Sequence, residues 1–209
     1  MSDVDFFFDP VCPWAWITSR WVTEVATLSN LKVNWKFISL KMVNVQRDYE
    51  NDFPPGHGQT HTLGLGLLRL ANAVREQSGN SGVARFYTAL GTAIHIDKNQ
   101  SELHHPAVVA NLLDVNGLDG HLVEAMEDSN RDRLIQDETE LALTRAGRDV
   151  GTPVITFAPP DGPSFFGPVI SRIPRGKEAL ELWDATERIA RFPGFAELKR
   201  SMREAPQFE

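Results

Sequence analysis

The chain has 209 residues and a mass of 23.4 kDa, the size of one domain carrying an insertion. Hydrophobic residues are 42% and charged residues 23%, which excludes a disordered chain and leaves enough apolar side chains for a sizeable core. The net charge is -7, from 21 Lys+Arg against 28 Asp+Glu, and the absence of a basic stripe argues against a nucleic-acid binder.

The segment Met1 to Asp9 is acidic and lacks the basic start of a signal peptide. No apolar run in the chain approaches the roughly 18 residues that cross a bilayer. The expectation is a cytoplasmic protein with no membrane contact. Val4, Phe6, Phe7 and Phe8 form a short apolar run that ends at Asp9-Pro10, which predicts a buried strand. After Cys12-Pro13 the period changes: Ile17, Trp21, Val25 and Leu28 trace a helical stripe, with Pro13 at the first helical position. Leu31, Val33, Trp35 and Phe37 alternate with polar residues and predict a second strand. The chain therefore opens β-α-β.

Pro54, Pro55, Gly56 and Gly58 mark a boundary, and only helical patterning follows. Stripes at Leu63–Val74, Val83–Ile94, Val108–Leu113, Leu122–Met126 and Ile135–Ala146 predict five helices. At Gly151 strands return. Pro153 to Phe157, a turn at 159–162 and Ser164 to Val169 predict a hairpin. An amphipathic helix starting near Gly176 and a short last one around Phe195, Leu198 and Met202 are expected to close the chain. The fold class is thus α/β, with residues 1–53 and 150–209 forming one discontinuous domain and residues 54–149 an all-α insertion.

Cys12 is the only cysteine, so an internal disulfide is excluded and any disulfide chemistry needs a second molecule. It stands between a predicted strand and a predicted helix, where the first-turn N–H groups and the helix dipole favour thiolate, the nucleophilic form. Inert burial is the commoner fate of a lone cysteine, and this position argues against it. Trp14 lies inside the motif and is a candidate to stack on an aromatic substrate, whereas core packing is the plainer role for Trp16, Trp21 and Trp35. Asn44, after the second strand, and His95, at a helix end, are candidates to line the same pocket. His57 and His61 are four apart and His104 and His105 adjacent, but no His-Glu-x-x-His pattern or second cysteine at zinc spacing supports a metal. Gly64-Leu65-Gly66 lacks the preceding strand and third glycine of a dinucleotide fingerprint, so no flavin or nicotinamide site is expected.

The order strand, Cys12-Pro13-x-x opening a long helix, helical insertion, and Thr152-Pro153 before a hairpin resembles the DsbA-like branch of the thioredoxin fold. Phe8-Asp9-Pro10, Cys12-Pro13-Trp14, Trp16 to Trp21, Gly151-Thr152-Pro153, Phe165 to Val169, Ile173 to Gly176 and Pro206-Gln207-Phe208 narrow it. Together they resemble the actinobacterial mycothiol-dependent nitroreductase/oxidoreductase group. The resemblance implies redox chemistry at Cys12, mycothiol as a small thiol co-substrate and no tightly bound cofactor. It also implies a cis Thr152–Pro153 bond beside Cys12, leaving the Thr152 backbone to pair with a docked partner. A disulfide or a small aromatic compound would be the second substrate, and the chain would act as monomer or homodimer. A thiol transferase or isomerase of the kappa glutathione-transferase type, and a redox-inactive binding module, are the alternatives.

The sequence departs from the wider family at Ala15, where the best-known members carry a second cysteine. A monothiol cycle remains: Cys12 thiolate takes one half of a disulfide, and a second small thiol releases it. Position 15 lies one turn beyond Cys12 on the same helix face. In an Ala15→Cys variant the mixed disulfide at Cys12 should therefore collapse to an internal disulfide. Intact mass after a pulse of oxidised small thiol reads this directly, and an adduct equally persistent in parent and variant would show that the two positions do not face each other.

Overall fold

The computed structural model describes residues 2–199, 201 and 204–208. Among the described residues, four strands and six α-helices follow in chain order as β1 (Val4–Phe8), α1 (Pro13–Ser29), β2 (Val33–Phe37), α2 (Leu40–Val43), α3 (His57–Gly91), α4 (Pro106–Val115), α5 (Asp132–Ala146), β3 (Val154–Phe157), β4 (Ser164–Phe166) and α6 (Gly176–Ala190). The strands form one sheet in the order β2-β1-β3-β4. β3 pairs antiparallel with both β1, where Val4 faces Phe157 and Phe7 faces Val154, and β4, where Val154 faces Phe166. The arrangement is the thioredoxin-like α/β fold with additional helices.

The chain divides into two compact units, the first made of residues 1–8, 13–36 and 142–209, the second of residues 9–12 and 37–141. In the first, β1 lies between β2 and β3 and every one of its residues is buried. Phe6 and Phe8 present their rings edge-on to Trp35 of β2, with centroids 5.2 and 6.1 Å apart. The α1 stripe meets α6: the Trp21 indole donates to the Ala179 carbonyl at 2.9 Å and its ring lies 5.4 Å from Trp183, which also rests on Phe157 of β3. Trp16, Trp21 and Trp35 are all buried, so three of the tryptophans are core.

The second unit is helical. The first two apolar stripes of the insertion run in one helix, α3, broken at Gly79 (φ 65°, ψ -168°), a backbone conformation that glycine alone adopts at little cost. After α3 the chain makes a π turn at Thr92–Ile96 and a 3₁₀ turn at Gln100–His104 before α4. The stripe at Leu122 and Met126, expected as an α-helix, is a 3₁₀ segment, Gly120–Glu127. There the Met126 carbonyl accepts from Arg69, which also forks onto Asp132 at the start of α5, so a side chain from α3 takes the bond that a further helical turn would have used. The helix expected around Phe195 and Leu198 is absent: residues 195–199 have no regular structure, and Met202 lies outside the described residues. A turn through Pro193-Gly194 ends the helical path, the Phe195 ring packs 5.7 Å from Phe165, and Leu198 is exposed.

Trp21 is fully buried and carries both an indole hydrogen bond and the contact with Trp183. Trp21→Ala should cost about 3–5 kcal/mol, the range for truncating a large buried aromatic. Urea unfolding of this variant beside wild type measures the loss, and a midpoint within error of wild type would remove Trp21 from the core.

Candidate active site

Residues Asp9 to Cys12 are the four-residue link from β1 to α1, and this link clusters with the helical unit. Cys12 is buried and immediately precedes Pro13, the first residue of the 17-residue helix α1. Its N–H donates to the Asp9 carbonyl at 3.1 Å, which closes a tight turn. The Asp9 carboxylate makes a second local bond, accepting from the Val11 N–H at 3.1 Å, the Asx pattern that aspartate forms with the residue two ahead. Its other oxygen accepts from the N–H of Leu40, first residue of α2, at 2.8 Å. One carboxylate therefore ties the cysteine loop to the segment leaving β2.

That segment is irregular, and its backbone donors are answered by side chains. Phe37 N–H donates to Glu138 at 2.8 Å and Ser39 N–H to the Thr139 hydroxyl at 3.0 Å, while Leu40 N–H goes to Asp9. Arg75 pairs with Glu138 at 3.0 Å and lies over the Phe37 ring, fixing that acceptor. Asn44 caps the C-terminus of α2: its backbone N–H and side-chain amide both donate to the Leu40 carbonyl, at 3.1 and 2.8 Å. Its half-buried side chain is thus held by the turn that Asp9 holds.

His95 reaches the cysteine loop from the π turn after α3. It is buried, and its Nε2 lies 2.9 Å from the Pro10 carbonyl. A carbonyl only accepts, so Nε2 carries the proton. Burial drives the pKa of His95 down to about 4, outweighing the bond to Pro10, so the ring is neutral near pH 7. His61, on α3, is held down to about 4 by burial, with smaller repulsions from His57 and Lys41, and its Nδ1 meets the Tyr49 hydroxyl at 2.9 Å. His57 and His61 share an aromatic cluster with Tyr49 and Phe53, which accounts for their helical spacing. Among the described residues no group of three or more His, Cys, Asp or Glu side chains is placed to hold a metal ion.

Asp9 is fully buried, and desolvation outweighs its two backbone hydrogen bonds, raising its pKa from 3.8 to about 7. Gly64 of α3 makes room for it: a Cβ there would stand 2.7 Å from one carboxylate oxygen and 3.1 Å from Val11. Sequence alone assigns neither Asp9 nor Gly64 a role in the site. The Asp-Pro pair reads as a strand ending, and only a contact between residues 55 positions apart explains the glycine.

In the first unit, Trp14 is half-buried and Ala15 is buried on α1. The Thr152–Pro153 bond is cis. Thr152 is buried, with its hydroxyl donating to the Phe7 carbonyl at 3.0 Å, and the Pro153 carbonyl accepts from Gly167 N–H at 2.8 Å. The candidate residues thus divide: Cys12, Asn44 and His95 belong to the helical unit, and Pro13, Trp14, Ala15, Thr152 and Pro153 to the sheet unit.

The shifted groups make stability pH-dependent with opposing signs. His61 and His95 have folded pKa values below the usual 6.5, so the stability they contribute is present above 6.5 and lost as pH falls toward about 4. Asp9, with a raised value, works the other way: its contribution is full below 3.8 and lost as pH rises through about 7. Between 6.5 and 4 the histidines together outweigh Asp9, so the urea midpoint should fall on acidification. His61→Asn should reduce that slope, and an unchanged slope would mean that His61 titrates normally.

Residues 11–200 match the model of the Rv2466c-like family, described as mycothiol-dependent nitroreductase Rv2466c. The uncharacterized protein Rv2286c of Mycobacterium tuberculosis (strain ATCC 25618 / H37Rv) is 30% identical over 205 residues, covering 96% of this chain and 82% of that protein. Among solved structures, a 2-hydroxychromene-2-carboxylate isomerase superposes with a TM-score of 0.57 at 17% identity, covering 90% of this chain and 96% of the isomerase. A protein from Nitrosomonas europaea described as a candidate protein disulfide isomerase gives 0.53 at 12% identity, covering 88% and 97%. These two likenesses speak to the fold, which is thioredoxin-like. No helix among the described residues is long and apolar enough to cross a membrane. The family match takes in Cys12, most of both units and most of the chain, and the protein belongs to the Rv2466c-like mycothiol-dependent nitroreductase family.

Proposed function

We propose that the protein is a cytoplasmic monothiol oxidoreductase that uses mycothiol to reduce mixed disulfides or nitro compounds, with Cys12 as the only nucleophile. The observation that carries this reading is the family match across residues 11–200, together with a single cysteine placed directly before a 17-residue helix. The N–H groups of the first turn of α1 and its dipole favour the thiolate. With Ala at position 15, no internal thiol can resolve an adduct.

In the disulfide reaction, Cys12 thiolate forms a new S–S bond with one half of the substrate while the other half leaves as thiolate. A second small thiol then attacks the mixed disulfide and restores Cys12. In the nitro reaction, two thiols become one disulfide while a nitro group becomes nitroso and one oxygen leaves as water. Trp14 offers an aromatic wall for a planar substrate, and Asn44 and His95 belong, with Cys12, to the helical unit. On the family resemblance, Thr152 and Pro153 position the bound partner. His95 acts through the Pro10 carbonyl, fixing the cysteine loop.

Oxidised mycothiol should add one reversible adduct to the wild-type chain and none to Cys12→Ser, read by intact mass. Turnover with mycothiol against a mixed-disulfide protein and a nitroaromatic then identifies the substrate class. Trp14→Ala should raise KM for the nitroaromatic about fivefold, corresponding to ~1 kcal/mol of ring contact. No adduct on wild type would favour a transferase or a binding module instead.

A further inference from the structure

Asp9 has properties that the monothiol cycle does not use. Its carboxylate is entirely buried, yet both oxygens are engaged by backbone donors from different segments. One donor, Val11 N–H, lies in the loop that ends in Cys12, and the Cys12 N–H itself donates to the Asp9 carbonyl. The other donor is Leu40 N–H, and the Leu40 carbonyl holds the side-chain amide of Asn44. Gly64 closes the remaining space, since a Cβ there would come within 2.7 Å of Asp9 Oδ1. The carboxylate has no alternative direction to turn.

We propose that Asp9 is a positioning residue that couples Cys12 to Asn44: its carboxylate straps the thiol-bearing loop to the turn that holds the amide, and its ionisation tunes the reactivity of the thiol. The proposal rests on the reading of Cys12 as nucleophile. As an anion Asp9 accepts two charge-assisted bonds, which tighten the strap, and places a negative charge three residues from the thiol, which disfavours thiolate. As a neutral acid it carries a hydroxyl proton against one of two backbone donors, and the strap loosens. An asparagine at this position keeps the volume but turns an NH₂ toward one of the same N–H groups.

Several groups surround this carboxylate. Tyr49 feels its charge, with a phenol held above its ordinary value by burial first and Asp9 second. His61 bonds the Tyr49 hydroxyl, the Lys41 ammonium lies 4.7 Å from the Tyr49 ring centroid, and His57 packs beside His61. His95 holds Pro10 and accepts Lys98 on its carbonyl. Of Asp9, Tyr49, His61 and His95, only Asp9 changes charge near neutrality.

The test is the pH dependence of Cys12 alkylation by iodoacetamide, which reads thiol reactivity without requiring turnover. Wild type should show an inflection near neutrality besides that of the thiol. Asp9→Asn should lose that inflection and react about three- to tenfold faster at pH 8, where Asp9 of the wild type is ionised, because a neighbouring negative charge has gone. A double-mutant cycle with Asn44→Ala should be non-additive, a result that mere loss of packing at either residue would not produce. Superimposable profiles, or additive effects, overturn the proposal. Should Asp9→Asn fail to fold, infrared titration of wild type decides: a protonated carboxyl band lost near neutrality, at the pH of the alkylation inflection, supports it, and full ionisation by pH 5 overturns it. A wild-type profile that responds to Asp9 without mycothiol turnover would remove the proposed function and leave this inference standing. Turnover with an Asp9-independent profile would do the reverse.

Discussion

A chain that leaves a sheet, turns within four residues and enters a helix must find partners for its backbone groups, because buried N–H and C=O groups are costly when left unmet. Here that turn is Asp9 to Cys12, and Asp9 supplies much of the answer. Its carbonyl takes Cys12 N–H, one carboxylate oxygen takes Val11 N–H, and the other reaches Leu40. His95, further downstream than Leu40, takes up the Pro10 carbonyl. The position of the sole thiol follows from these four bonds.

The same accounting explains the segment after β2. Phe37 ends β2 and Ser39 and Leu40 have left the sheet, and Glu138, Thr139 and Asp9 receive their N–H groups. Two of the three acceptors are adjacent residues of α5, a hundred positions away. Helix α5 thereby has a structural role inside its own unit: it holds the chain leading into the short helix that Asn44 caps. Arg75, stacked on Phe37 and paired with Glu138, keeps one acceptor oriented.

Thioredoxin-like folds host disulfide exchange, isomerisation and transfer on one scaffold, and the fold alone does not choose among them. The likeness to an isomerase and to a candidate disulfide isomerase, each below 20% identity, reflects that scaffold. In the proposed cycle the chemistry is set at the link between β1 and α1. A cysteine without a second thiol at position 15 restricts the chain to adducts that an outside thiol must clear.

Much of the architecture was legible in the residues themselves. The β1-α1-β2 opening, the β3-β4 hairpin and α6 announce themselves through period, turn residues and proline placement, all properties of neighbours in sequence. Trp16, Trp21 and Trp35 read as core, and they are. Local pattern misjudged the segment at Leu122 and Met126, where Arg69 diverts a carbonyl, and the tail at Phe195, where a Pro-Gly turn and a contact with Phe165 replace a helix. Periodicity reports which face is apolar, not which distant side chain competes for a backbone bond. The sequence by itself determined that one thiol stands at a helix start and that no internal thiol can resolve its adducts. Only the tertiary structure decided that Asp9 is buried, that Gly64 must leave room for it, and that His95 and Leu40 hold the loop. Those facts rest on contacts between residues 31 to 85 positions apart, to which no local spacing corresponds.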